Sequence, residues 1–145
     1  MTKEIYLRQI KNNTLAAKAT SNHWVVMDTN NEAGGNEAGS TPKELLLMAL
    51  AGCTSMDVIP ILKKKRSPVA AYECNVKGIE REEFPKIFTD IHIEYVFYGD
   101  GIKTEDVERA IELSRTKYCS VSAQLAASAK ITHSYRIEPA SKSIE

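Results

Sequence analysis

Cys53, in Ala51-Gly52-Cys53-Thr54-Ser55-Met56, and Cys119, in Lys117-Tyr118-Cys119-Ser120-Val121-Ser122, each follow a helix-forming stretch and sit among small or apolar residues. A thiol reacts as its thiolate, so a dithiol reaction centre needs one sulfur with a lowered pKa and a second within its reach. Cys119 falls where a short helix should begin, and unpaired N–H groups at a helix start favour a thiolate. Cys53 on its own reads equally well as a packed core thiol, because free cysteine is among the most buried residue types. A disulfide needs the two Cα atoms within about 7 Å, which positions in a sequence do not reveal. The third cysteine, Cys74, alternates with Tyr72 and Val76 and reads as core packing.

Other chemistries find less support. There is no Cys-x-x-Cys, and His23, His92 and His133 are isolated on predicted strands, so no metal site is expected. Those histidines should face solvent or cap a sheet, although His23 beside Trp24 could line a pocket. Lys63-Lys64-Lys65-Arg66 reads as a solvated helix C-terminus, complementing the negative end of the dipole, rather than as a nucleic-acid patch.

The elements that must position the sulfurs can be read in order. Residues 4–10 and 14–28 alternate polar and apolar side chains and predict strands joined at Lys11-Asn12-Asn13. A small, polar loop from Asn30 to Ser40, expected to be mobile, precedes a strong helix start. There Thr41 caps, Pro42 suits the first helical position and Glu44 completes a capping box. The helix that follows is apolar almost all round from Leu45 to Leu62, the mark of a buried central helix. At 100° per residue Leu46, Ala49, Cys53, Met56 and Pro60 share a stripe, which predicts an apolar setting for Cys53. Pro60 predicts a kink, and Gly52 inside such a helix predicts close approach by another backbone or a ligand. Strands are predicted over 69–82 and 87–98, paired as a hairpin, then a helix from Thr104 with core stripe Val107, Ile111 and Ser114. A short helix over 120–129 and a last strand over 130–137 complete an α+β pattern, in which an antiparallel sheet packs on the apolar helix. That helix carries more apolar surface than one short sheet can cover, which predicts a homodimer.

The totals agree with a small soluble protein. The 145 residues suit a single domain over 1–145, and Lys+Arg 19 against Asp+Glu 19 leaves no net field to attract nucleic acid or anionic lipid. The N-terminus has no secretory pattern, and the apolar run from Leu45 to Ala51 is too short to cross a bilayer, so a cytoplasmic location is expected. In a reducing compartment three cysteines leave core packing, metal binding or redox chemistry as their roles.

Four segments together carry a resemblance: Thr41 to Cys53, Arg81 to Thr89, Lys117 to Ser122 and Ile131 to Tyr135. In that order they resemble the OsmC/Ohr family, within it the YhfA-like branch, over nearly the whole chain. The resemblance implies an OsmC-like fold, with antiparallel sheets wrapped around central helices in an intertwined homodimer. It also implies a thiol-dependent peroxidase acting in the oxidative-stress response. Cys53 would attack a small organic hydroperoxide, Cys119 would resolve the sulfenic acid to a disulfide, and an external dithiol would restore both, with no cofactor. In characterised branches an arginine from an N-terminal strand and a glutamate directly after the helix-opening proline hold the thiolate. Here Lys18 stands where the arginine is expected, Lys43 follows Pro42, and the glutamate comes one place later as Glu44. A lysine lowers a thiol pKa as a point charge but cannot reproduce a bidentate guanidinium fork. The alternative is a non-catalytic dimeric binding module, its interfacial pocket holding a small apolar or acyl ligand.

Overall fold

The computed structural model describes residues 1–143, which form two compact units, Met1–Leu46 and the chain from Leu47 onward. In the first unit, β1 (Ile5–Lys11), β2 (Thr14–Ala19) and β3 (Trp24–Met27) make an antiparallel meander in the order β1-β2-β3. Both reversals use an asparagine in the left-handed region, Asn12 at φ 53 and Asn22 at φ 60, which its short side chain tolerates. The second reversal splits what the alternation predicts as one strand over 14–28.

The small, polar loop after β3 is gathered around one buried carboxylate. Buried Asp28 accepts hydrogen bonds from Thr14 Oγ1 (2.6 Å) and from the backbone N–H groups of Thr29 (2.7 Å), Asn36 (3.2 Å) and Ala38 (3.2 Å). The Thr14 hydroxyl leads these donors in holding the Asp28 carboxyl below the usual carboxylate range. A Cβ on Gly35 would lie 2.0 Å from the Thr29 carbonyl oxygen, so the loop needs glycine there.

Helix α1 (Pro42–Lys64) begins as predicted. The Glu44 carboxylate accepts from Thr41 N–H (2.7 Å) and Thr41 Oγ1 (3.0 Å), while Glu44 N–H donates back to Thr41 Oγ1 (3.3 Å). Its end is a left-handed cap: Arg66 lies at φ 57, its N–H donates to Lys63 O, and Ser67 N–H donates to Leu62 O. Lys63 and Lys64 of the basic run lie in the last turn of α1, and Lys65 Nζ pairs with Asp106 at 2.9 Å.

The second unit packs α1 against a sheet in the order β4-β5-β6, formed by β4 (Ala71–Glu80), β5 (Phe88–Tyr98) and β6 (Lys130–Glu138). β4 and β5 form the predicted antiparallel hairpin, with Cys74 opposite Tyr95. β5 and β6 run parallel, which corrects the expectation of wholly antiparallel sheets. Parallel neighbours need a crossover, and here it is built from α2 (Thr104–Leu113), a π-helical turn (Ser114–Tyr118) and α3 (Ser120–Leu125). Leu50, Val58 and Leu62 of α1 meet Ile91, Ile93, Tyr95 and Phe97 of β5 and Val107, Ala110 and Ile111 of α2 in one core.

Which face of α1 is buried also differs from expectation. Leu50, Thr54, Val58 and Leu62 point inward, whereas Leu46 and Met56 of the predicted stripe are 46% and 78% exposed. Cys53 sits at the margin, half-buried against the core. A helix apolar on nearly every side gives periodicity nothing to choose between. The helix has the length and hydropathy of a membrane span, more than the run Leu45 to Ala51 suggests, but a core helix passes the same test. Its inward stripe lies in the second unit's core.

His133 is only partly at the solvent. Its ring stacks on Tyr95, with centroids 6.1 Å apart, and its Nδ1 is buried without a partner. Burial, helped by the Arg115 charge, lowers its pKa from 6.5 to about 4. The neutral ring is thus the folded form, and its contribution to stability is present above pH 6.5 and lost as pH falls towards 4. Thermal melts across that window should therefore fall more steeply for the natural chain than for His133→Gln; parallel curves would contradict a buried neutral imidazole.

Candidate functional site

The two cysteines come together with a residue the sequence reading did not single out. Cys53 Sγ, Cys119 Sγ and an Asp57 carboxylate oxygen all lie within 4.8 Å of one another. Cys53 and Asp57 are four residues apart on α1 and so share a face. Cys119 arrives from the crossover, as the N-cap of α3, where its sulfur accepts from Ser122 N–H at 3.4 Å.

The π-helical turn makes this possible. In an α-helix, residues five apart point about 140° away from each other. The wider turn, closed by Cys119 N–H donating to Ser114 O, lets Ser114 and Cys119 both face α1. Ser114 Oγ donates to Asp57 Oδ2 (2.9 Å) and also contacts Thr54 Oγ1 (2.9 Å), which in turn contacts Tyr95 OH (2.7 Å). Each hydroxyl has a single proton, so the donation from Ser114 to Asp57 sets the direction of the chain: Tyr95 donates to Thr54, and Thr54 to Ser114. Burial, against the hydrogen bond to Thr54, raises the Tyr95 pKa to about 12, which keeps the phenol a donor at physiological pH. Removing one hydroxyl would strand its neighbour at a cost of roughly 1–3 kcal/mol.

Electrostatically the site departs from the expected helix-start thiolate at Cys119. Burial raises its pKa to about 11, despite the Ser122 N–H that favours the thiolate. The neighbouring Cys53 sulfur and the Asp57 carboxylate push the same way. Desolvation of a residue that is 4% exposed outweighs one weak backbone donor. Cys119 is thus a protonated thiol poised beside Cys53. Cys74 behaves as predicted: it packs against the core, and burial raises its pKa against the opposing influence of the Tyr72 and Ser55 hydroxyls.

The remaining predicted site residues lie in the first unit, each with local interactions. Lys18 Nζ donates to Asn22 Oδ1 (3.1 Å) and stands 5.3 Å from the Trp24 ring centroid. Lys18 and His23 line an open groove of about 360 Å³ together with Ile5, Val25 and Leu45. Lys43 is exposed on the first turn of α1, and the Glu44 carboxylate is taken up by Thr41. Thr41 lowers the Glu44 pKa, its backbone N–H contributing most. In the second unit an apolar cavity of about 460 Å³, lined by Ile59, Leu62, Ser67 and Tyr72 among others, touches neither Cys53 nor Cys119. Asp57 could have been found from its four-residue spacing to Cys53; the Tyr95–Thr54–Ser114 chain had no such signal, since it joins three distant segments.

Comparison with known proteins follows the same lines. The chain is 40% identical over 124 residues to protein YhfA of Escherichia coli K12, covering 86% of this chain and 90% of that one. A crystal structure of a hypothetical protein from Aquifex aeolicus superposes with a TM-score of 0.84 at 33% identity, covering 96% and 98% of the two chains. The organic hydroperoxide resistance protein OhrB of Bacillus subtilis shares the fold, with a TM-score of 0.61 at 14% identity over 94% of this chain and 98% of that one. Residues 34–134 match the family described as OsmC-like protein, and the chain belongs to that family.

Proposed function

We propose that this chain is a cytoplasmic, homodimeric dithiol peroxidase that reduces organic hydroperoxides in the response to oxidative stress. The observation that carries the reading is the approach of the Cys53 and Cys119 sulfurs to within 4.8 Å, near enough for side-chain rotation to join them. The fold shared with an organic hydroperoxide resistance protein supports the choice of substrate class.

In this reading the Cys53 thiolate attacks the distal oxygen of a hydroperoxide. The O–O bond breaks, the alcohol leaves with a proton, and Cys53 becomes a sulfenic acid. Cys119 then attacks the sulfenic sulfur; the S–S bond forms as its thiol proton and the sulfenic hydroxyl leave as water. With a pKa near 11, Cys119 is a poor nucleophile until it gives up that proton, and Asp57 is the acceptor at hand. An external dithiol reduces the disulfide and is itself oxidised. Lys18 and Lys43 are the proposed cations for the Cys53 thiolate, with Glu44 in place of the family's glutamate.

A second reading, the non-catalytic binding module, is favoured by the raised Cys119 pKa and by the apolar cavity. Cumene hydroperoxide consumption with a dithiol present separates the two. Cys53→Ser should abolish turnover, and Cys119→Ser should slow it and leave a sulfenic acid at Cys53 that dimedone traps. Full turnover by Cys53→Ser would end the peroxidase reading.

The homodimer is supported by apolar surface a lone chain leaves bare, including Leu46, Met48, Met56 and Ile59 on α1 and Ile5, Leu7, Trp24 and Val26 in the first unit. Among the described residues, nothing beyond its chain neighbours and the adjacent helix backbone comes within 4 Å of a Cβ placed on Gly52. Alanine there should stabilise a lone helix by about 1 kcal/mol, but a partner's backbone packed on Gly52 reverses the sign. Sedimentation should give the mass of two chains for the natural protein and a weakened dimer for Gly52→Ala; a monomeric natural protein would overturn the dimer.

A further inference from the structure

The carboxylate beside the sulfurs gives the site a property that the dithiol alone lacks. We propose that Cys53, Asp57 and Cys119 form a Zn²⁺ site that masks the dithiol. Two thiolates and a carboxylate suit a borderline-soft ion rather than Mg²⁺ or Ca²⁺, and three protein ligands leave a fourth position to water. In a tetrahedral zinc site sulfur and oxygen ligands stand about 3.5–3.8 Å apart, given metal–ligand bonds of about 2.0–2.3 Å. The three atoms here lie within 4.8 Å of one another, so small side-chain rotations close the difference. Cys-x-x-Cys spacing is absent because the ligands come from one turn of α1 and from the cap of α3.

Two further features fit. Ser114 Oγ donates to Asp57 Oδ2, which orients the carboxylate and leaves its other oxygen for a metal, as outer hydrogen bonds do at metal sites. Two thiolates and a carboxylate offset both charges of a divalent ion and leave a single negative charge, so a half-buried site carries little uncompensated charge. The proposal needs only this geometry and stands apart from the peroxidase reading. Where that reading holds, zinc withholds both sulfurs from peroxide.

Reduced full-chain protein titrated with Co²⁺ tests it. A thiolate-to-cobalt charge-transfer band with intense tetrahedral visible bands should saturate at one equivalent per chain. Cys53→Ser and Cys119→Ser should each diminish that band, and Cys74→Ser should leave it intact. In competition with a chromophoric chelator, Asp57→Asn, which keeps the side-chain shape, and Ser114→Ala should each weaken Zn²⁺ binding by about tenfold or more. Saturation without a charge-transfer band, loss of the band in Cys74→Ser, or Zn²⁺ affinity unchanged by Asp57→Asn would overturn the site. Peroxide turnover by metal-free protein, measured on the same samples, bears on the dithiol reading alone.

Discussion

The site hangs on a polar seam through an apolar interior. Thr54 is the hydroxyl on the buried stripe of α1, and its contacts with Tyr95 of β5 and Ser114 at the end of α2 tie three elements to one point. Apolar contacts alone would tolerate rotation of a helix that is apolar nearly all round; a directed chain of hydroxyls ending on a carboxylate does not. Fixing Thr54 inward sets Cys53 at the margin of the core and Asp57 one turn further along the same side. The π-helical turn then brings Cys119 to meet them.

The same arrangement creates an electrostatic tension. An attacking thiolate is helped by nearby positive charge, yet the site gathers two sulfurs around a carboxylate, and burial holds Cys119 protonated. That division suits unequal roles, one sulfur to meet oxidant and the other to wait as a thiol with a proton acceptor beside it. It also explains why one set of atoms suits both dithiol chemistry and a divalent cation, since either outcome removes the thiol protons.

Much of this was legible in the residues. The capping box at Thr41 and Glu44, the hairpin of β4 and β5, the inward stripe of α2 and the N-cap position of Cys119 all follow from local patterns of one or two turns. What escaped was decided by distant partners. The inward face of α1 depends on where Thr54 finds hydroxyls, the parallel pairing of β6 on how the crossover is built, and the order of the 29–40 loop on a single buried carboxylate, Asp28. The Cys119 pKa was misjudged because its helix-start position is visible in sequence and its burial is not.

The central claim is that Cys53 and Cys119 are mutual neighbours within one chain. Treating the reduced protein with a stoichiometric amount of an organic hydroperoxide, blocking free thiols and mapping the unreduced digest by mass spectrometry tests it most directly. The account predicts a Cys53–Cys119 linkage within the chain, with Cys74 recovered as the blocked thiol. A linkage to Cys74, a disulfide between chains, or over-oxidised Cys53 beside an untouched Cys119 would contradict it.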